Sequence, residues 1–260
     1  RKPMMASVRL ISSTENLSVA WAEAFLKVME NGVTELSPHI ITVTDIHEGS
    51  VCEDLRIRGK LDKELARHGK WTCHTVANTI FPESLWNAEL ENGASLLYDR
   101  YAKIWPRIQG HRGNRRGVYF QRLIAYQPQG SEHHPINQLQ HVIDTYKRGN
   151  HRRSALQASV FDPTRDHKHS RQLGFPCLQQ ISFTPTDNGG LHLTAFYPIQ
   201  YLLERAYGNY LGLCRLGRFM ATQMALPFEK MTCIAIVAKR SGDGISKTAL
   251  HRFANLLRNL

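Results

Sequence analysis

The chain has 260 residues, 42% of them hydrophobic, with a net charge of +11 and an isoelectric point near 9.6. That length supports one domain with a full hydrophobic core, and we expect residues 1–260 to form a single domain. No apolar run reaches the roughly 18 residues of a membrane-spanning helix, and the first residues lead into no apolar segment of a signal peptide, so we expect a cytoplasmic protein without a membrane partner. The positive charge favours an anionic partner, either nucleotide phosphate or nucleic acid.

The cysteines and histidines argue against a disulfide framework and against a metal site. The cysteines are odd in number, widely spaced and without CxxC pairs; they are Cys52, Cys73, Cys177, Cys214 and Cys233. The 13 histidines do not follow the helical or hairpin spacing of metal ligands. The sequence therefore predicts reduced thiols and no metal ligands.

The first half of the chain predicts a mixture of strands and helices. Hydrophobic periodicity predicts, in order, strand 7–12, helix 16–30, strand 40–43, helix 71–81 and helix 94–104. The last of these helices is expected to stop before Pro106, because the residue preceding a proline disfavours helical geometry. A strand–helix–strand opening is typical of a layered α/β architecture.

The second half continues in the same way. Its predicted elements are helix 135–148, strand 155–161, a strand opening at 177 and its partner across the turn 187–190, helix 202–224, strand 231–238 and helix 246–260. Three glycines in the long helix, at 208, 212 and 217, predict either close packing against a neighbouring backbone or a break near Gly208. The predicted fold class is α/β (α+β), with a twisted mixed or antiparallel sheet packed against several helices.

Two neighbouring motifs carry candidate chemistry. Pro176-Cys177 stands at the start of a predicted strand, downstream of the doublet Arg152-Arg153. A cysteine in the positive field of guanidinium groups is a candidate thiolate nucleophile, and paired guanidiniums bind phosphate oxygens through two-pronged hydrogen bonds. The alternatives are an inert buried thiol and an arginine doublet that faces water.

These motifs, in their order and spacing, resemble the thymidylate synthase and pyrimidine-nucleotide hydroxymethylase superfamily. The stretch 136–154 is similar to the family's helix and arginine pair, Pro176-Cys177 to its nucleophile motif, and Tyr207-Gly208-Asn209 to its Pro-Phe-Asn segment. The resemblance covers roughly residues 135–224 and implies a thymidylate synthase-like fold, whereas the first 110 residues match poorly.

The resemblance implies a covalent reaction on a pyrimidine nucleoside monophosphate. The thiolate of Cys177 would add to C6 of the ring and make C5 nucleophilic toward the methylene of 5,10-methylenetetrahydrofolate. Arg152 and Arg153 would bind the 5′-phosphate of the substrate in the partner subunit, because the family forms homodimers with shared sites. Asn209 would read the base, since a carboxamide offers both a donor and an acceptor and so suits uracil, and Tyr119 would border the pocket.

The chain departs from the family's pattern around the substrate. Leu178 stands where the family has a histidine, and Ser182 stands where it has a substrate-binding glutamine. The stretch 198–201 replaces the family's Arg-Ser-x-Asp and so removes a phosphate ligand. Arg205, one turn further on, is the candidate that supplies the missing charge.

Two other family residues have only loose counterparts. His251 is the candidate for the histidine that holds the sugar. The catalytic glutamate has no clear equivalent; Asn78 and Glu83 are the nearest candidates, and an amide cannot relay a proton as a carboxylate can. Three tryptophans are candidates either for the core or for the lining of a folate-sized pocket, namely Trp71, Trp86 and Trp105.

Two functions therefore stay open from the sequence. The first is folate-dependent methylation or hydroxymethylation at C5 of a pyrimidine nucleotide, with Cys177 as nucleophile. The alternative is a catalytically silent relative that binds a nucleotide or a nucleic acid through the same arginines. Leu178 and the missing glutamate favour the silent protein, whereas the retained Pro176-Cys177 favours the enzyme.

Overall fold

A six-stranded mixed sheet organises the described part of the chain. The computed structural model describes residues 6–44, 46, 51–111, 114, 117–128, 130, 132–167, 169, 175–242 and 244–260. Its strands are β1 (Ala6–Thr14), β2 (Val33–Val43), β3 (Gln157–Ser159), β4 (Gln180–Pro185), β5 (Leu191–Tyr201) and β6 (Phe228–Lys239). Their order is β1-β2-β6-β5-β4-β3, with β1–β2 and β5–β6 parallel and the other pairs antiparallel. The predicted mixed α/β class is confirmed.

Nine helices accompany the sheet within the described residues. They are α1 (Leu17–Val28), α2 (Leu55–Arg67), α3 (Cys73–Asn78), α4 (Gly93–Gly110), α5 (Tyr119–Ile124), α6 (Gln138–Arg148), α7 (Pro163–Asp166), α8 (Tyr207–Gln223) and α9 (Lys247–Arg258). Asn16 caps α1 by accepting from the backbone N–H of Ser18 at 2.9 Å, and Asn137 caps α6 by accepting from that of Gln140 at 3.0 Å. No helix in the described segments combines the length and the apolar character needed to cross a membrane.

The two faces of the sheet differ in burial. On β5, Leu193, Ala195 and Tyr197 are fully buried, whereas the intervening Thr194 and Phe196 are half-buried. The same alternation recurs along β4 and β6. Because successive side chains of a strand point to opposite faces, one face of the sheet lies in the core and the other is left largely open.

Helix α8 packs closely against α3 through two glycines. A Cβ atom at Gly208 would lie 2.5 Å from the Cβ of Val76, and one at Gly212 would lie 2.7 Å from the carbonyl oxygen of Ala77. This is the predicted close packing of glycine against a neighbouring backbone. The alternative, a break near Gly208, does not occur, because a π-helical turn over Leu202–Ala206 runs directly into α8.

The predicted end of α4 is wrong. The helix continues through Pro106 to Gly110. Proline removes the hydrogen bond to the carbonyl four residues earlier, that of Ala102. Because Ala102 is exposed, water can satisfy this carbonyl, and the helix tolerates the proline.

Other predicted boundaries also shift. Helix α3 is shorter than the predicted 71–81, since the Thr72 side chain accepts from the backbone N–H of Thr75 and fixes its start. The helix expected from residue 135 begins at Gln138, after the cap. Cys177 lies in a bend before β4 rather than opening the strand.

Candidate functional site

A cavity of about 470 Å³ opens where β5 passes through the π-helical turn into α8. This junction contributes to the lining Ile199, Gln200, Tyr201, Glu204, Arg205 and Asn209. The other walls come from the segment 69–71 before α3, from the start of α5 and from the segment 175–177 before β4. Residues distant in sequence therefore meet in one concave space, which is the usual setting of a ligand site.

Cys177 lies in the wall of this cavity, and the residue is half-buried. Burial raises the pKa of its thiol, and the positive charge of Arg205 partly offsets that effect. The thiol is therefore protonated at neutral pH and becomes a nucleophile only when a proton acceptor or further positive charge assists it.

Tyr119, the first residue of α5, lines the same cavity. Burial raises the pKa of its phenol to about 12; the neighbouring Cys177 acts in the same direction, and Arg205 opposes it. The hydroxyl therefore stays neutral and can donate a hydrogen bond to a bound ligand.

Arg205 and Trp71 form a cation–π pair in the lining. The guanidinium carbon of Arg205 lies 4.8 Å from the ring centroid of Trp71. Such a contact holds the charge next to an aromatic surface. Of the three tryptophans singled out from the sequence, Trp71 lines the cavity, whereas Trp86 and Trp105 pack against the core.

Two carboxamides at the junction differ in how they are bound. Gln200 is anchored, because its Oε1 accepts from the hydroxyl of Tyr210 at 3.0 Å, and that hydroxyl also contacts Nε2 of His39 at 3.1 Å. Asn209 is only 3% exposed. Its side chain makes no hydrogen bond to any residue that the structure describes. Asn209 therefore keeps a donor and an acceptor for a ligand.

Glu204 is the one acidic residue among the described residues of the lining. Its Oε1 accepts from the backbone N–H of Gly242 at 2.9 Å. Its Oε2 is buried and has no hydrogen-bond partner within the described parts of the chain. Burial raises the pKa of the carboxyl, with the Gly242 amide, Lys70 and Arg205 acting in the opposite direction.

Basic residues of the segment before α6 contribute in different ways. Arg122 lines the cavity, but its guanidinium is paired with the carboxylate of Asp166 at 2.6 and 2.8 Å. In the basic stretch 111–117, Asn114 and Gly117 line the cavity, while positions 112, 113, 115 and 116 lie outside the described residues.

Three predicted substrate-binding residues lie away from the cavity lining of their own chain. Arg152 and Arg153 are exposed in and beside a 3-10 turn before β3, and Arg153 forms an ion pair with Asp187. Ser182 lies on β4, where its hydroxyl accepts from the Gln157 side chain at 2.9 Å.

The predicted counterparts of the catalytic glutamate also lie outside the lining. Arg215 binds both of these side chains. It donates to Oδ1 of Asn78 at 3.4 Å and lies 2.9 Å from a carboxylate oxygen of Glu83. His251 is exposed on α9 and does not line the cavity either. The structure therefore brings together four of the predicted site residues, namely Tyr119, Cys177, Arg205 and Asn209.

Glu204 and Gln200 are site residues that sequence reasoning missed. In the sequence, Glu204 is an ordinary polar position of the predicted helix 202–224. Gln200 belongs to the stretch 198–201, which replaces the family's Arg-Ser-x-Asp. A usable signal was present: Glu204 and Asn209 are polar residues in a largely apolar segment, and the fold buries both of them.

Comparisons with known proteins do not assign a function to this cavity. A scan against protein-family models and a search of curated proteins both give no match to the chain. Across the residues that the structure describes, no group of three or more His, Cys, Asp or Glu side chains is arranged to hold a metal ion. Function is therefore inferred from the cavity and its lining.

Proposed function

We propose that the cavity binds a pyrimidine nucleoside monophosphate and that Cys177 adds covalently to C6 of its ring. The observation that carries this proposal is the convergence of Cys177, Tyr119, Arg205 and Asn209 on one cavity. All four are indicated by the resemblance to the thymidylate synthase superfamily, and they come from three distant segments of the chain, with Arg205 and Asn209 in the same one. Convergence of a nucleophile, a cation and an uncommitted amide in one pocket favours an active site over a chance grouping.

The proposed reaction depends on moving electrons through the pyrimidine ring. When the Cys177 sulfur bonds to C6, the electron pair of the C5–C6 double bond shifts toward C5 and the ring carbonyl. C5 can then take up a one-carbon unit and lose its proton, after which the C6–S bond breaks. Arg205 favours the thiolate, because its charge opposes the effect of burial on that sulfur.

Asn209 is the proposed reader of the base. Its buried carboxamide has both hydrogen-bonding ends available, and a uracil ring presents a carbonyl acceptor beside an N–H donor. A matching base would complete both ends of the amide, each neutral hydrogen bond contributing about 0.5 to 1.5 kcal/mol. This match favours a uracil over a cytosine base.

The proposed one-carbon donor is a reduced folate. 5,10-methylenetetrahydrofolate, when bound, supplies a methylene group. Trp71 would provide a flat apolar surface for its ring, and Lys70 a positive charge for its acidic tail; both line the cavity. Capture of that methylene by water would give hydroxymethylation, whereas a hydride from the reduced folate, which is thereby oxidised to dihydrofolate, would give methylation.

The proposed partner is a second copy of the chain. An apolar row crosses the open face of the sheet through paired residues of four strands, Ile11, Ile40, Ile234 and Phe196, and Ile11 is 60% exposed. Stacking two such faces would bury the row in an isologous dimer. Arg152 and Arg153, which lie away from their own cavity, would then be available to the phosphate in the partner's cavity.

Tritium release tests this function directly. The protein is incubated with 5,10-methylenetetrahydrofolate and each of 5-tritiated dUMP, UMP, dCMP and CMP. Transfer to C5 must displace the hydrogen there, so we expect release from at least one nucleotide and none from the Cys177→Ala variant, which should still bind. Nucleotide binding without release from any substrate would contradict the proposal.

A second function, silent binding of a nucleotide or nucleic acid, is favoured by the exposed Arg152 and by the raised pKa of the Cys177 thiol. Salt dependence separates the two ligands. Affinity for a long polyanion falls steeply with salt, because several phosphate contacts release counterions together. A mononucleotide site shows a much shallower dependence.

A further inference from the structure

The proposed chemistry requires a proton acceptor in the cavity. Burial keeps the Cys177 thiol protonated at neutral pH, so its proton must leave before or during attack on C6. The described lining contains no histidine, and its cations, including Lys70 and Arg205, cannot accept a proton. The phenol of Tyr119, with a pKa of about 12, does not supply a base at neutral pH.

Glu204 meets this requirement by position and by bonding. It lines the same cavity as Cys177, and the residue is 8% exposed. The Gly242 amide holds one carboxylate oxygen at 2.9 Å, which orients the group. The other oxygen is buried without a partner in the described residues, and leaving such an atom unbonded is costly unless a proton completes it.

The backbone at Glu204 adds an independent indication. The residue lies in the π-helical turn Leu202–Ala206, between β5 and α8. Turns of this kind are uncommon and occur frequently at functional sites, where they redirect side chains from the regular helical positions. Asn78 and Glu83, the candidates from the sequence, are instead held by Arg215 outside the lining.

We propose, on the basis of the function above, that Glu204 is the proton-transfer residue of this cavity. Its carboxylate accepts the proton of the Cys177 thiol through water in the cavity, as sulfur bonds to C6 and the ring takes up the electron pair. When the C6–S bond breaks, the sulfur keeps the bonding pair and Glu204 returns the proton. The proton displaced from C5 leaves to solvent.

The pH dependence of tritium release tests this role. Catalysis requires the ionised carboxyl, so the wild-type rate should rise with pH through the pKa of Glu204, which burial places above its usual value of 4.5. Among the described residues, the charges of Lys70 and Arg205 and the Gly242 amide act on this carboxyl against the effect of burial, and Glu204 is the one acidic residue of the described lining. The acidic limb of the profile should therefore report the carboxyl.

Glu204→Gln should lose this limb and release tritium at least about 100-fold more slowly, the lower range for general acid–base catalysis. Glu204→Asp, which keeps a carboxylate, should retain the limb at a reduced rate and serves as the second variant if the glutamine variant does not fold. Glu83→Gln is the matched control and should keep the wild-type profile. Nucleotide affinity, measured by calorimetry at one pH, should not fall in parallel with the rate.

The outcomes separate this inference from the function on which it rests. An active wild type together with a Glu204→Gln variant of wild-type rate and profile would overturn the role of Glu204 alone. Loss of the limb in Glu83→Gln instead would assign the role to Glu83. Absence of release from wild-type protein with all four nucleotides would overturn the proposed function, and the role of Glu204 with it.

Discussion

The Asn209 side chain lies in the cavity with 3% of the residue exposed and with no hydrogen bond to the described residues. Two other polar side chains of the lining already have partners: Gln200 is bound to Tyr210, and Arg122 to Asp166. A buried amide of this kind usually has a partner in the working state of a protein. Among the polar side chains of the junction, Asn209 is therefore the one best placed to read a ligand.

Replacing Asn209 by aspartate should change the preferred base. A carboxylate offers acceptors only, so it suits the amino group of cytosine and disfavours the carbonyl of uracil. We expect Asn209→Asp to bind dUMP more weakly by about 1 to 3 kcal/mol, the cost of unmatched buried polar groups, while dCMP loses less or gains. Calorimetric titration with both nucleotides measures the difference. An equal loss for the two bases would show that Asn209 does not contact the base.

At the scale of elements, α8 is placed by its contacts with α3 and carries Asn209 into the cavity. The close approach requires glycine at positions 208 and 212. By contrast, a Cβ atom at Gly59 in α2 would meet nothing within 4 Å. The same substitution should therefore have opposite effects in the two helices.

Gly59→Ala should stabilise the protein by up to about 1 kcal/mol, because alanine has the higher helix propensity. Gly208→Ala should destabilise it by about 1 to 3 kcal/mol, since the new methyl group would overlap Val76 and the carbonyl of Cys73. Urea unfolding of both variants compares them with wild type. Stabilisation by Gly208→Ala would contradict the packing of α8 on α3.

Helices α2 and α9 are joined through a buried carboxylate. Glu64 is 2% exposed and accepts from Arg67 at 2.7 Å, His68 at 3.1 Å and Arg252 at 3.3 Å. Burial opposes ionisation of Glu64, but the hydrogen bonds from Arg67 and His68 and the charge of Arg252 outweigh it and lower the pKa of the carboxyl.

Glu64 should therefore make stability depend on pH in the acid range. A carboxyl with a lowered pKa stabilises the fold above its unfolded value of 4.5, and this contribution disappears as pH falls through the folded value. Glu64→Gln should cost about 1 to 2 kcal/mol at pH 7, less than a fully buried pair because Arg67 and Arg252 are largely solvated, and should flatten the acid decline of the unfolding free energy. Glu30→Gln, in an exposed pair with Lys27, is the control. An unchanged acid decline of the unfolding free energy in Glu64→Gln would contradict this role of Glu64.

Local elements were predictable where neighbouring residues decide them. Strand alternation around residues 181–195, the turn between β4 and β5 and the amphipathic pattern of α6 depend on short-range periodicity. The limits of α4 were not predictable, because solvent at the Ala102 carbonyl, rather than the proline alone, decides whether the helix continues. The composition of the cavity depends on the order of strands in the sheet, which periodicity does not contain.

The site also contains residues that the sequence predicts and residues that only the fold identifies. Cys177, Tyr119, Arg205 and Asn209 were predicted through the resemblance, and they meet in one cavity. Glu204 was missed, because its importance arises from burial, from an unpaired oxygen and from a π-helical turn, none of which a helical pattern indicates. Asn78 and Glu83 correspond to the family's glutamate only by position in the sequence, and in the fold Arg215 binds both of them.

For the whole molecule, a shared dimeric site makes a prediction about mixtures. If Arg152 serves the cavity of the partner subunit, Cys177→Ala and Arg152→Ala should each be inactive alone. A hybrid dimer of the two variants contains one intact site, so random exchange of equal amounts should restore about one quarter of the wild-type activity in an isologous dimer. Activity is followed by tritium release after dissociation and reassociation. No recovery in proven hybrid dimers would place both residues in one subunit's site.

The most direct measurement is capture of the covalent adduct. The hydrogen at C5 leaves as a proton, but a fluorine at that position cannot be lost in the same way. In a mixture of the protein, 5,10-methylenetetrahydrofolate and a 5-fluoro pyrimidine nucleotide, the reaction should therefore stop while the Cys177 sulfur is bonded to C6. Mass spectrometry of the digested protein should show the added mass on the peptide that contains Cys177, and none in Cys177→Ser. An unmodified Cys177 peptide at saturating 5-fluoro forms of dUMP, UMP, dCMP and CMP would contradict covalent catalysis at this site.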